Sequence, residues 1–293
     1  MNVKRKTKSN LLLWIVWLSV VLCVLLIVVV LLHRSIYTSP VAEEEPTITE
    51  PTETEGPTQP ETEPESGRPV LNLEKNPYSA ADFDFRGRYL ECAAGPSKIG
   101  VDVSAWQKEV SWPLVKAAGM EFAMLRLAMR GSTEGGLFTD DYAQANYRGA
   151  KDAGMEVGGY FFSQALTVEE AVEEAEYVLE LVKDWKLDLP IVFDWEQTWE
   201  RTSRMDPRTL TDCAKAFCQT IEDAGFEAMV YFNMSQAYEE IYLEELTAYD
   251  FWLALYESDM VFPYKVDMWQ YSCTGSVPGV EGPVDLNIWF EYE

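Results

Sequence analysis

Histidine occurs once in this 293-residue chain, at His33. That leaves nothing from which to build a Ser-His-Asp or Cys-His centre, or the common His-bearing zinc sites. Basic residues are also scarce, 23 Lys and Arg against 49 Asp and Glu for a net charge of -26. A phosphate backbone selects for a basic face, so nucleic acid is excluded as the main partner. Cysteines are few and unpaired in sequence: Cys23 lies in an apolar run, and Cys92, Cys213, Cys218 and Cys273 form no C-x-x-C. A metal cluster and a dense disulfide framework are both disfavoured, and neither a metal nor a cofactor is expected. Chemistry is left to carboxylates, tyrosines and thiols. What is abundant is aromatic surface, 13% of the chain with 10 Trp and 15 Tyr, which suits stacking on flat ligand faces.

Composition divides the chain. Residues 1–10 form a basic tail carrying Lys4, Arg5, Lys6 and Lys8, and residues 11–32 are an uncharged run, LLLWIVWLSVVLCVLLIVVVLL. A helix of that length covers roughly the 30 Å hydrocarbon core of a bilayer. The charge asymmetry across it predicts a cytoplasmic N-terminus and everything downstream outside the cell. The run is longer than the h-region of a cleaved signal peptide, and Arg34, Ile36 and Tyr37 follow it in place of small residues, so it reads as an uncleaved transmembrane signal anchor. Residues 33–69 form a stalk. From Thr38 to Pro69 it is almost entirely Thr, Pro and Glu, a composition that cannot bury enough apolar surface to fold. Residues 70–97 belong to no motif of the domain formed by residues 98–293 and read as an N-terminal extension packed on it.

In that domain, short apolar runs alternate with helical stripes. Strands are expected at Ile99–Val103, Phe122–Ala128, Val157–Phe162, Pro190–Trp195, Ala228–Phe232, Phe251–Tyr256, Val266–Tyr271 and Val284–Ile288. Thr167-Val-Glu-Glu170 reads as a capping box opening one helix, and Asp206-Pro207 as an N-cap and first-turn proline opening another, closed by Gly225. Alternating strands and helices predict an α/β fold with a parallel sheet, and eight strands suggest closure. The domain is short for eight full units and its last links are too brief for long helices. The expectation is a trimmed, TIM-like (β/α) barrel, irregular in its second half.

Acidic residues stand at the strand ends. Asp194 and Glu196, two apart after an apolar strand, point to one face with β-carbons roughly 6–7 Å apart. Asp102 ends the first strand and Asp285 lies in the last, which closure makes neighbours. All four are expected at the C-terminal mouth, where barrel enzymes keep their chemistry. Clustered carboxylates repel one another, so at least one should hold its proton near neutral pH, and such a pair is the apparatus of glycoside hydrolysis. Substrate-contacting candidates at the same mouth are Trp106, Arg126, Tyr160, Phe162, Tyr231, Trp252, Tyr256, Trp269 and Gln270. Trp269 and Tyr231 stand out among the aromatics because polar Gln270 and Asn233 lie close to them in the sequence.

Gly100-Val-Asp-Val-Ser-Ala-Trp-Gln107, Val192-Phe-Asp-Trp-Glu196, Trp252-Leu-Ala-Leu-Tyr256, Met268-Trp-Gln-Tyr271 and Val284-Asp-Leu-Asn287 resemble, in order, the signatures of glycoside hydrolase family 25, the N-acetylmuramidase lysozymes. The resemblance implies a hydrolase of bacterial peptidoglycan, cutting the β-1,4 bond between N-acetylmuramic acid and N-acetylglucosamine; the apolar run at 11–32 adds the expectation that it is tethered to the membrane. The resemblance also implies Glu196 as acid catalyst, Asp194 as its partner carboxylate, and Asp102 and Asp285 as further acids of the pocket. Arg126-Leu-Ala-Met-Arg130 departs from the family, which more often has a glycine and an aromatic after the arginine; Arg126 and Arg130 could form a local basic groove. Substrate-assisted, covalent and inverting routes all stay open. So do two other readings, a glycosidase of another N-acetylated polymer such as chitin and a catalytically idle wall-binding protein. Oligomeric state is not readable from the sequence.

Overall fold

The computed structural model describes residues 69–293, apart from 87, 199–200, 204, 257–258 and 293. The basic tail, the apolar run at 11–32 and the stalk up to residue 68 lie outside the described residues. Among the described residues no helix is long and apolar enough to cross a membrane.

A hairpin of β1 (Phe83–Arg86) and β2 (Tyr89–Cys92) comes first. The order continues β3 (Ser97–Val103), α1 (Trp112–Ala117), β4 (Phe122–Arg130), β5 (Leu137–Thr139), α2 (Ala143–Asp152), β6 (Glu156–Ser163), α3 (Val168–Val182) and β7 (Ile191–Trp195). Then follow α4 (Pro207–Asp223), β8 (Ala228–Asn233), β9 (Asp250–Ala254), β10 (Met268–Gly275) and β11 (Val284–Phe290). All eight expected strands form, and β3, β4 and β6 to β11 close into a barrel through a parallel β3–β4 pairing. β5, which the sequence reading did not anticipate, pairs antiparallel with the far end of β4.

The closure corrects one expectation. The sheet is parallel from β3 through β10, but β11 runs antiparallel to both β10 and β3. The short link between β10 and β11 allows only a hairpin, since a parallel crossover needs a dozen or more residues. This reversal brings the start of β11, and with it Asp285, to the mouth formed by the ends of the parallel strands. Asp285 is the direct register partner of Asp102.

Helix ends follow local chemistry. Asp206 accepts the Thr209 N–H at 2.9 Å and Pro207 opens α4. Leu210, Ala214, Phe217 and Ile221 of that helix are buried against the sheet, with Phe217 5.3 Å from Phe193 between ring centres. At α3, Thr167 Oγ1 accepts the Glu170 N–H, but the reciprocal half of the expected box is absent. The Glu170 carboxylate reaches one residue further back, to the Leu166 N–H, and pairs with Arg201. The apolar stripe of α3 also contains a buried acid, Glu174, which faces Arg130 at 2.7 Å.

Among the described residues, no α-helix follows α4. The bare outer face of β10 and β11 is covered by the segment before β3. Tyr78 lies 5.2 Å from the Phe290 ring, Phe83 meets Trp269 edge-on at 5.2 Å, and the Leu71 N–H donates to the Tyr264 hydroxyl at 2.6 Å. Inside the barrel Phe122, Met124, Tyr160, Val192, Met229, Trp252 and Met268 pack as a separate plug. Gly100 makes room for it: a β-carbon there would stand 2.6 Å from the Phe122 ring. Because Phe122 is itself wholly buried, Gly100→Ala should destabilise the fold by about 1–3 kcal/mol through overpacking. An unfolding midpoint equal to that of the parent in a thermal melt would show that the plug yields without strain.

Candidate active site

The mouth of the barrel holds a cavity of about 380 Å³ lined by Asp102, Trp106, Arg126, Tyr160, Phe162, Asp194, Glu196, Tyr231, Trp252, Tyr256, Gln270 and Asp285. Every sequence-expected site residue is there except Trp269. Successive residues of a strand face opposite sides, so where Gln270 points into the cavity, its neighbours Trp269 and Tyr271 point out. Trp269 is wholly buried under the N-terminal hairpin, donating its indole N–H to the Leu255 carbonyl at 2.7 Å. The expectation that it contacts substrate is therefore corrected. Ser104, Gln107, Cys273 and Pro283 also line the cavity and were not anticipated. The last two belong to the β10–β11 hairpin, whose direction is not legible in residue pattern.

Asp102 is a hub. Its Oδ2 accepts the side-chain amides of Gln270 and Asn287, each at 2.8 Å. The amides are themselves oriented: the Gln270 Oε1 accepts hydroxyls from Tyr231 at 2.9 Å and Tyr256 at 2.7 Å, and the Asn287 Oδ1 accepts the Trp252 indole N–H at 2.9 Å. Burial raises both tyrosine pKa values, so both stay donors and the Gln270 NH₂ must turn to Asp102.

All four acids are raised, and burial is the first cause in each. Asp285 is pushed up to about 8, with the charge of Asp102 as the next cause and a shared hydrogen bond to Asp102 as a third. Asp285 thus holds the proton and Asp102 accepts it. Asp194 is raised well above the carboxylate range by burial, then by the charges of Glu196 and Asp102, while Arg126 opposes the shift. Glu196 is raised by burial and by the charge of Asp102. The two members of the β7 pair differ in surroundings. Asp194 is 5% exposed, with its Oδ1 lacking any hydrogen-bond partner, whereas Glu196 is open to the cavity.

The chain leaving β7 is held by the backbone. The Trp195 carbonyl accepts the Gln236 amide at 2.8 Å and the Glu196 carbonyl accepts the Gln164 amide at 2.6 Å. Gln164 is in turn fixed by Thr198 at 2.7 Å and, at its carbonyl, by Arg201 at 2.9 Å. Gln164 and Gln236 were missed. Their only sequence signal is a buried-type polar residue just past an apolar strand. Asp140 was missed too: it takes the Arg126 guanidinium at 2.9 Å and the Ala105 N–H at 2.9 Å, joining Arg126 to the turn that displays Trp106. Arg126 and Arg130 do not join in a basic groove, because Arg130 is buried between Glu173 and Glu174. Trp106 itself is 82% exposed at the rim, and the turn ends at Lys108 with φ 56°, a conformation L-residues adopt only at a cost. Among the described residues no three His, Cys, Asp or Glu are grouped to hold a metal ion.

In sequence and fold the chain is similar to bacterial lysozymes. Lysozyme M1 of Streptomyces globisporus is 30% identical over 205 residues, covering 64% of this chain and 68% of that protein. The crystal structure of the bacterial lysozyme from Streptomyces coelicolor superposes with a TM-score of 0.53 at 26% identity, covering 68% of this chain and 94% of that one. The fold also matches that of the modular autolysin LytC from Streptococcus pneumoniae, solved with a synthetic peptidoglycan ligand. That TM-score is 0.57 at 23% identity, covering 66% of this chain but only 47% of the larger autolysin. The sequence profile of glycosyl hydrolases family 25 matches residues 101–280, a span that starts in β3 and runs into the β10–β11 link, and by that match this chain is a glycoside hydrolase belonging to family 25.

Proposed function

We propose that the enzyme hydrolyses the β-1,4 bond between N-acetylmuramic acid and N-acetylglucosamine in peptidoglycan, with Glu196 as general acid and Asp194 orienting the substrate acetamido group. The observation that carries the reading is the contrast within the β7 pair: Glu196 is open to the cavity with a raised pKa, and Asp194 is buried with a carboxylate oxygen left unpartnered. An unpaired buried acceptor is costly unless a ligand donor completes it. The N–H of a 2-acetamido group is such a donor.

In this mechanism Glu196 gives its proton to the glycosidic oxygen as the bond to the anomeric carbon breaks. The acetamido carbonyl oxygen bonds to that carbon, forming an oxazolinium ring whose N–H is held by Asp194. Water then attacks the same carbon from the side vacated by the leaving sugar. It gives a proton to Glu196 and opens the ring, with net retention. Burial of Asp194 favours this role over direct attack on the anomeric carbon. Trp106 at the rim offers a stacking face for a neighbouring sugar. The β7 pair also supports acid catalysis over an idle wall-binding role.

We further read residues 11–32 as a signal anchor that keeps this domain outside the cell and tethered. The support is the uncharged run and the four basic residues before it. An acidic enzyme is repelled at long range by an anionic wall, and a tether removes the need for electrostatic capture.

Three outcomes are expected. Glu196→Gln should lower the release of reducing ends from peptidoglycan by about 10²–10⁴; activity within threefold of the parent would sink the assignment, and mass analysis of reduced fragments should find muramic acid at the new ends. The second concerns stability. Asp285 titrates near 8 in the fold and at about 4 in the unfolded chain, so only the folded state holds this proton in between, and stability is lost as pH rises through that interval. Asp285→Asn should flatten that slope, read as denaturation midpoints at pH 5, 7 and 9; an unchanged slope would refute the raised titration. Third, protease added to intact, wall-stripped cells should remove the catalytic domain, and a protected C-terminus would overturn the anchor.

A further inference from the structure

Tyr256 closes one side of the catalytic cavity and is 52% exposed. Its other side bounds a second groove, of about 590 Å³, which Tyr256 shares with Phe85, Arg88, Tyr271, Ser272 and Leu286. Two of these residues, Phe85 and Arg88, come from the N-terminal hairpin, which precedes the span matched by the family profile. The two grooves differ in chemistry. The catalytic cavity is walled by four acids, whereas the second is floored by rings and Leu286 and carries one guanidinium. Phe85 is 52% exposed yet held edge-on against Tyr271 at 6.2 Å. Arg88 is exposed and makes no ion pair among the described residues, in a chain whose net charge is -26.

We propose that this groove is an accessory substrate site, built by the N-terminal hairpin, that takes the peptide stem of a peptidoglycan repeat whose sugars lie in the catalytic cavity. The inference rests on the peptidoglycan reading above and deepens it. A stem hangs from the muramic acid beside the scissile bond, so it must leave the cavity over its rim, and Tyr256 is a part of the rim with a bounded groove directly beyond it. The stem combines short aliphatic side chains with free carboxylates. Phe85, Tyr271 and Leu286 suit the first, and Arg88 suits the second, because a guanidinium binds a carboxylate through paired N–H donors. A bare sugar chain would find there no acceptor-rich wall of the kind the catalytic cavity offers.

The test compares two substrates, intact peptidoglycan and the same material stripped of its stems by an amidase, with Arg88→Ala, Arg88→Glu and Phe85→Ala in the full chain. The ratio of kcat/KM on intact to stripped glycan should fall about tenfold in Arg88→Ala and further in Arg88→Glu, through KM. Because Arg88 is exposed, its replacement leaves the packing of the hairpin intact, so the two Arg88 variants decide the matter even if Phe85→Ala unfolds. Equal losses on both substrates would mean that the groove holds sugar, and no loss on either would mean that it holds nothing; both overturn the stem assignment. A parent enzyme inactive on both materials would overturn the peptidoglycan reading. The groove is then judged by calorimetry with the free stem peptide L-Ala-γ-D-Glu-L-Lys. Binding that is lost in Arg88→Glu supports the groove, and absence of binding to the parent refutes it.

Discussion

Asp102 keeps a carboxylate inside a closed barrel, with burial pushing its pKa up and three side-chain hydrogen bonds and one from the backbone pulling it down. An ion taken out of water there must be matched by donors, and each donor restricts something else. Gln270 ties Asp102 to β10, Asn287 ties it to β11, and the proton of Asp285 ties it to the strand beside it. Those amides are oriented by Tyr231, Tyr256 and Trp252, which are also the walls and floor of the cavity. The charge left on Asp102 then acts on the β7 pair, raising both Asp194 and Glu196. Barrel closure, cavity shape and the protonation of the acid catalyst candidate thus share one electrostatic constraint.

Much of this was legible in the sequence because two signals coincide. Apolar runs such as Ile191–Phe193 mark strands by burial alone, and acids at their ends cannot be core, so Asp102, Asp194, Glu196 and Asp285 declare both a position and a mouth. Closure followed from counting strands, since a first and last strand must meet. What failed did so for local physical reasons. The reasoning that singled out Trp269 used its polar neighbour, but alternation along a strand sends neighbours to opposite faces, so Gln270 in the cavity requires Trp269 outside it. The direction of β11 depends on the length of one link and leaves no trace in hydrophobic pattern.

Residues that position others were the hardest to read. Gln236 and Gln164 hold the backbone carbonyls of Trp195 and Glu196, on either side of the Glu196 α-carbon, and nothing in a lone glutamine distinguishes that duty from solvation. The buried pair Arg130 and Glu174 lies on two elements far apart in sequence, and nothing local to either residue points to the other. Such pairs become visible only once the topology has brought the elements together.

The reversed last strand has a temporal side. Asp102 is made before Gln270, Asp285 and Asn287, which belong to the β10–β11 hairpin. Until that hairpin docks, the hub carboxylate has none of its amides, the wall between β3 and β9 is missing, and the mouth has no enclosed volume. A chain that has not yet docked this hairpin therefore carries Glu196 without an enclosed cavity around it, and the cavity forms in the same event that seals the barrel.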